Sequence, residues 1–326
     1  MKKLLIPVFV LLSIPWLLAP AGAQVKQIEM AYSAISATQA TLYFTKEAGI
    51  FEKHGLSVNL NYVASGSRVA QALVAGEFPI AFAGSAVVFA NLAGGDVVYV
   101  GGVVNVPAFY LMVTPEIKKI EDLRGKALGV TRYGASTDFA LRHALPLWGL
   151  DPDKDVKILQ MGGQPEILAG MKAGAIQGAP VTAPNELLGR KVGFTVLTDL
   201  SKSGLQYPMI SIVSTRSFIK KEPETVRAFL KAYAEGTHRF AREKELALKV
   251  IAKYTKTEDP EALESAFAYA LTFVEKIPRP PFKGVEIELQ EIAKKRPEAK
   301  GRKAEEFIEA RIFDELEKSG YFKSLQ

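Results

Sequence analysis

Between residues 25 and 214 the chain repeats one local pattern: a short apolar run, a loop of small polar residues, then a segment with helical periodicity. Strands that alternate with helices pair in parallel, because a helical crossover returns the chain to the same end of the sheet, and helices then cover both faces. The pattern predicts strands over 25–32, 56–63, 80–83, 97–104 and 108–113. It then restarts with strands over 127–131, 156–161, 175–181, 194–197 and 209–214. Helices are expected over 38–48, 68–75, 136–148, 165–173 and 184–189, with others at 51–54 and after Ser85. Beyond residue 214 everything is expected to be helical, over 223–242, 245–256, 260–273, 284–295 and 303–318. Asp259 and Pro260 form a sharp start for the third of these, as N-cap and first helical residue. Two α/β units and a helical tail imply two lobes. The crossings between them are expected near Val113–Thr114 and Tyr207–Met209, where Pro115 and Pro208 adjoin apolar strands.

Residues 1–23 have the form of a signal peptide. Lys2 and Lys3 precede an apolar run over 4–18, interrupted by Pro7 and Pro15, and Ala21-Gly22-Ala23 supplies a small-x-small cleavage site. That run is shorter than the ~20 apolar residues of a spanning helix. The 326 residues include no cysteine, which removes disulfides, thiolate nucleophiles, Cys-ligated metal and a lipid-anchored Cys. Without residues 1–23 the net charge is +4 and no basic run is interleaved with aromatics, so nucleic acid is not an expected partner.

Catalytic constellations are missing. His54, His143 and His238 stand at no metal-ligand spacing. Gly129 and Gly134 have phosphate-loop spacing, but Ala135-Ser136 stands where the Lys-Ser/Thr pair is needed. Neither a Gly-x-Ser-x-Gly elbow nor a dinucleotide glycine fingerprint occurs. No catalytic residue, metal or cofactor is expected.

What recurs is the strand–small polar loop–helix junction. In the first unit it offers Ser33, Ser36 and Gln39, then Ser65, Gly66 and Ser67, then Gly84 and Ser85. In the second it offers Tyr133, Ala135, Ser136 and Thr137, then Gln164, then Thr182 and Asn185. In parallel α/β sheets these loops lie at the carboxyl ends of the strands, where ligands bind. Hydroxyls and free N–H groups at helix N-termini suit an oxyanion. At roughly 1.5–3 kcal/mol per hydrogen bond to a charged group, four or five reach the ~8 kcal/mol of micromolar binding.

Residues 42–61, with Tyr43-Phe-Thr-Lys-Glu-Ala-Gly-Ile-Phe-Glu-Lys-His-Gly-Leu56, resemble the opening of the ABC-transporter substrate-binding proteins for nitrate, taurine, aliphatic sulfonates and thiamine-pyrimidine precursors. Further landmarks follow in order at 75–85, 120–130, 172–179 and 223–232. The resemblance implies an α/β, two-lobed periplasmic-binding-protein fold of the second type, each lobe a mostly parallel sheet flanked by helices. It implies lobes over 24–113 plus 209–326, and over 114–208, with a ligand closed between them. Carried over by position, the loop residues above become ligand contacts, and Phe109 and Tyr207 near the crossings become candidates to stack on the ligand or to pack the hinge. Arg68 and Arg132 are candidates either to supplement the oxyanion contacts or to be simply exposed. The implied partners are a small-molecule ligand and an ABC permease in the inner membrane, and the implied form is a periplasmic monomer. The chain departs from the family at Thr182-Ala-Pro-Asn185, where many members carry Trp and an acidic or aromatic residue. Loss of an acid there disfavours ligands with an amino group, and points to a sulfonate or carboxylate without one. A ligand-sensing subunit for a membrane receptor and a pyrimidine-precursor-binding or synthase-like protein are the alternatives; the latter depends on cysteines this chain lacks.

Overall fold

The computed structural model describes residues 25–325, so the expected signal peptide lies outside the described residues. Ten strands among them form two five-stranded sheets. The first has the spatial order β2 (Leu56–Tyr62), β1 (Lys26–Tyr32), β3 (Ile80–Ala83), β10 (Ile210–Thr215), β4 (Val97–Val104). The second has the order β7 (Lys157–Gln160), β6 (Ala127–Val130), β8 (Gly178–Val181), β5 (Tyr110–Val113), β9 (Thr195–Asp199). In each sheet four strands run one way and one is reversed: β10 is antiparallel to β3 and β4, and β5 to β8 and β9. The reversed strand is in each case the first strand after the chain crosses from the other sheet.

The helices are α1 (Ala40–Glu47), α2 (Ile50–Lys53), α3 (Gly66–Val74), α4 (Ala86–Leu92), α5 (Ser136–Leu147), α6 (Gln164–Lys172) and α7 (Asn185–Lys191). After β10 come α8 (Arg216–Lys221), α9 (Pro223–Arg242), α10 (Lys244–Thr255), α11 (Pro260–Phe273), α12 (Phe282–Ala293) and α13 (Arg311–Lys318). The expected α/β architecture with a helical tail is the one observed. Alternation sets the burial of the first pair of strands: Ile28 and Met30 of β1 pair with Val58 and Leu60 of β2, and all but Leu60 are buried. The edge strand β4 is nevertheless buried along its whole length. Its two glycines let the tail lie directly on it: Gly102 N–H donates to the Arg279 carbonyl at 2.8 Å, and a Cβ on Gly101 would sit 2.8 Å from the Pro278 oxygen. A smaller core of Met112, Ile167, Met171, Ile176 and Val181 packs under the second sheet. No helix among the described residues is long and apolar enough to cross a membrane.

Two expectations are corrected. β5 belongs to the second sheet, so the first crossing runs through residues 105–109, not Val113–Thr114, and the first lobe stops short of Tyr110. An apolar strand flanked by strands of both units carries no mark of which sheet it joins. The helix expected over 303–318 is broken at Phe307–Ile308, which leaves the helical path to pair with β4. There Tyr99 N–H donates to the Phe307 carbonyl and Glu309 N–H to the Tyr99 carbonyl, both at 2.9 Å. Covering an open sheet edge satisfies backbone groups that a continued helix would leave unpaired.

Candidate functional site

The two sheets point the same kind of edge at each other: the carboxyl ends of their parallel strands and the starts of their reversed ones. Between them lies a cavity of about 40 Å3. At ~10–15 Å3 per water it has room for about three waters, the size of a small oxyanion head group. The first unit supplies Ser33, Ala34, Ser36 and Thr38 after β1, and Ser65 and Gly66 after β2. The second supplies Thr131, Ala135, Ser136 and Thr137 after β6, Gln164 at the start of α6, and Thr182 after β8. The crossings supply Phe109, Met209 and Ile210. No charged side chain lines it. A wider groove of about 390 Å3, between α12 and residues 299–305, lies on the tail and carries Glu286, Arg302, Lys303 and Glu305. Its lining is drawn from one stretch of chain, with no strand ends converging on it, so the smaller cavity is the candidate site.

Local chemistry explains how the walls are held. Ser36 caps a short 3-10 turn (Ala37–Gln39), its Oγ accepting from Thr38 N–H at 3.2 Å. Ser65 is buried at φ +80°, a conformation that favours glycine, and precedes the unpaired first-turn N–H groups of α3. Such strain is found where surrounding structure imposes it, commonly at ligand sites. Thr137 Oγ1 accepts from Thr131 N–H at 2.9 Å, locking the loop after β6. Ser136 Oγ donates to the Met209 carbonyl at 2.8 Å. Gln164 bridges Pro180 and Thr182, donating to the carbonyl of one and accepting from the N–H of the other. Thr182 Oγ1 is buried with no hydrogen-bond partner.

The two units touch across the cleft. Ala37 N–H donates to the Ala183 carbonyl at 2.9 Å, and Asn185 Nδ2 reaches the Ile35 carbonyl at 3.5 Å. At the rim Gly163 lies close to the Tyr62 side chain: a Cβ there would sit 2.5 Å from the Tyr62 hydroxyl, which would have to move aside. That hydroxyl has no partner, and burial together with the Glu166 carboxylate pushes its pKa up to about 12.

Of the expected site residues, Ser33, Ser36, Ser65, Gly66, Phe109, Ala135, Ser136, Thr137, Gln164 and Thr182 come together around the cavity. Gln39, Ser67, Gly84, Ser85, Tyr133, Asn185 and Tyr207 do not line it. Gln39 and Ser85 are fully buried, their side-chain polar atoms unpartnered. Ser67 turns its hydroxyl to Ser65 Oγ at 3.2 Å. Gly84 is a wedge: a Cβ there would lie 2.0 Å from the Met209 oxygen and 2.4 Å from Ser136 Oγ. Tyr133 is 49% exposed and its hydroxyl donates outward, to the Ile158 carbonyl. Tyr207 packs at the return crossing: it stacks on Phe139 with centroids 5.0 Å apart and donates to the Ser136 carbonyl at 3.1 Å. Arg68 is exposed, and neither it nor Arg132 lines the cavity. Thr131, Met209 and Ile210 also line the cavity, and the strand–loop–helix pattern does not mark them. Thr131 directly follows β6, Met209 directly precedes β10 and Ile210 opens it; only the reversed direction of β10, invisible in the sequence, brings the last two to this edge.

The match to the NMT1-like family model spans residues 21–254, well over half of the chain. The chain belongs to the NMT1-like family. Its relatives include the taurine-binding periplasmic protein of Escherichia coli, 31% identical over 70% of each chain. YtlA of Bacillus subtilis is 23% identical over 64% of each chain, so that match stops short of two thirds of either protein. Among solved structures, the alkanesulfonate-binding protein SsuA from Xanthomonas axonopodis, with MOPS bound, superposes with a TM-score of 0.71 at 19% identity, covering 85% of this chain and 95% of its own. The resemblance to nitrate, taurine and sulfonate binding proteins and the two-lobed α/β fold are both borne out. The NMT1-like assignment rests on sequence, and the SsuA likeness shows the fold.

Proposed function

We propose that this NMT1-like protein is a periplasmic solute-binding protein that closes two lobes on a small organic oxyanion and delivers it to an ABC permease. The observation that carries this is the uncharged cavity between the two sheet edges, walled by hydroxyls and helix starts and bearing the unpartnered Thr182 Oγ1. One lobe is the first sheet with the C-terminal helices; the other runs from Tyr110 to the return crossing at 204–209. Ligand bridges them and holds them closed, because it contacts both only when the hinge is bent. Binding without catalysis is supported by the same lining: it holds no His, Asp, Glu or Lys to move a proton.

Ser33, Ser36, Ser65, Ser136, Thr137 and Thr182, with the first-turn N–H groups of α3 and α5, are the proposed oxyanion contacts. Phe109, Met209 and Ile210 give the ligand an apolar side. An ammonium entering this cavity would lose its hydration with no counter-charge to replace it. The ligand is therefore a sulfonate or carboxylate without an amino group, unlike the ligand in the name of the E. coli relative.

Native mass spectrometry of the purified mature protein, followed by titration with methanesulfonate, acetate, nitrate and taurine, tests this. Trp148 serves as reporter, being one of two tryptophans in the chain; the other, Trp16, lies in the expected signal peptide. A retained small anion, or a panel anion that raises the melting temperature by mass action, is expected. Taurine binding as tight as methanesulfonate would overturn the ligand class, and no anion binding at all would overturn the oxyanion reading.

A further inference from the structure

Glu288, on α12, is wholly buried, and it stands outside the candidate cavity. Its Oε2 lies 3.3 Å from Tyr99 Oη, and Oε1 has no hydrogen-bond partner. Tyr99 Oη is also 3.1 Å from the Gly84 carbonyl. The hydroxyl has one proton, and a carbonyl can only accept. Tyr99 therefore donates to Gly84, and the proton between Tyr99 and Glu288 comes from the carboxyl. The surroundings agree. Burial raises the Glu288 pKa well above its ordinary value, outweighing the contact with Tyr99. The titratable groups facing it are the phenols of Tyr99 on β4 and Tyr207 on the return crossing. No Lys, Arg or His is among its partners.

The far end of this chain is the wedge already described. Gly84 is pressed against the Met209 carbonyl and Ser136 Oγ, where the return crossing, α5 of the second unit and the loop after β3 meet. Its carbonyl also accepts from Val87 N–H at 3.1 Å, the first turn of α4. The same face of α12 touches the crossing one turn earlier: a Cβ on Gly284 would lie 2.9 Å from Tyr207 Cα. One turn later Glu291 lies 3.8 Å from His143 of α5. Positions 284, 288 and 291 follow helical spacing, so one stripe of α12 meets the crossing, the wedge loop and the second unit together.

We propose that Glu288, as a carboxylic acid, is a positioning residue for the cleft: through Tyr99 it anchors the Gly84 carbonyl and so sets the loop on which the two units close. Helix α12 thereby braces the cleft from behind. The ligand arm of the test rests on the proposed function; the other arms do not.

The test compares the wild type with Tyr99→Phe, Glu288→Gln and Glu288→Leu. An infrared difference spectrum of wild type against Glu288→Gln at neutral pH is expected to show a protonated-carboxyl stretch. Hydrogen exchange of the amides of residues 84–88 is expected to rise about tenfold in Tyr99→Phe, the effect of losing one buried hydrogen bond, while α9 is unchanged. Glu288→Gln, whose amide donates to Tyr99 in the same place, is expected to exchange as wild type; Glu288→Leu, if it folds, follows Tyr99→Phe. A missing carboxyl band, unchanged exchange in Tyr99→Phe, a uniform rise across the fold, or Glu288→Gln behaving as Tyr99→Phe would each overturn the proposal. In the ligand arm, the Kd for methanesulfonate is expected to rise about tenfold in Tyr99→Phe and not in Glu288→Gln. A wild type that binds no methanesulfonate counts against the ligand class, and the exchange and infrared arms then decide the positioning role.

Discussion

Around the cavity, hydroxyls divide by where their hydrogen bonds go. Ser36, Ser136 and Thr137 engage backbone N–H or carbonyl groups, whereas Thr182 Oγ1 is buried and engages nothing. An unsatisfied buried hydroxyl costs stability and is kept where something else completes it. Thr182→Val is therefore expected to leave the melting temperature unchanged or raised, while weakening methanesulfonate binding about tenfold by calorimetry. Ser65 shows the same opposition through its backbone. Glycine removes the steric cost of φ +80°, about 1 kcal/mol, so Ser65→Gly is expected to raise the melting temperature by about 1–2 °C and loosen ligand retention. For Glu288 the sign follows from its raised folded pKa. The unfolded chain ionises near the ordinary value of 4.5, while the folded chain keeps its proton, so this group's contribution is full below 4.5 and is lost as pH rises towards the folded pKa. In thermal melts, Glu288→Gln is expected to gain on the wild type steadily from pH 4.5 upward. Ser, Gly and Thr at strand ends were legible in sequence because loop chemistry is local. Which of them face the cavity was not: Gln39 and Ser85 differ from Ser36 and Ser65 only in where tertiary packing turns them.

Helix α11 links capping to closure. Asp259 Oδ1 accepts from the N–H groups of Glu261 and Ala262, and its other oxygen pairs with Lys191 of α7, in the second unit. Glu261 joins that pair at 3.0 Å. Lys191 and then the Ala262 N–H hold the Asp259 carboxyl below its ordinary pKa, so its contribution is present above that value and lost in acid. Asp259→Ala removes both roles and is expected to lower the melting temperature; Asp259→Asn keeps an oxygen for the cap and recovers most of it. Helix starts of this kind, and the strand ranges of both units, were legible because caps and periodicity lie within a few residues. The break at Phe307–Ile308 was not, because it is imposed by β4, some two hundred residues earlier in the chain. Likewise the partners of β5 depend on β8 and β9, which lie far ahead of it.

At the scale of the whole molecule, the contact from Ala37 to Ala183 joins the two units across the cleft mouth. The chain has no cysteine, so a pair introduced at these positions has no competing thiol. Oxidised Ala37→Cys/Ala183→Cys is expected to trap the closed form, seen as a fixed small radius of gyration by solution scattering and slowed ligand release. Reduction should restore both; a radius that still changes with ligand in the oxidised form would show that closure does not occur at this contact. The interleaving of the sheets also bears on how the chain is made. The second sheet is assembled wholly from residues 110–199, so it can complete itself as soon as that stretch is available. The first sheet cannot: β10 lies between β3 and β4, and it arrives more than a hundred residues after β4. A chain emerging from its amino end therefore finishes its second-coded half first, and the earlier strands wait, with a slot in the middle, for one strand to seal them.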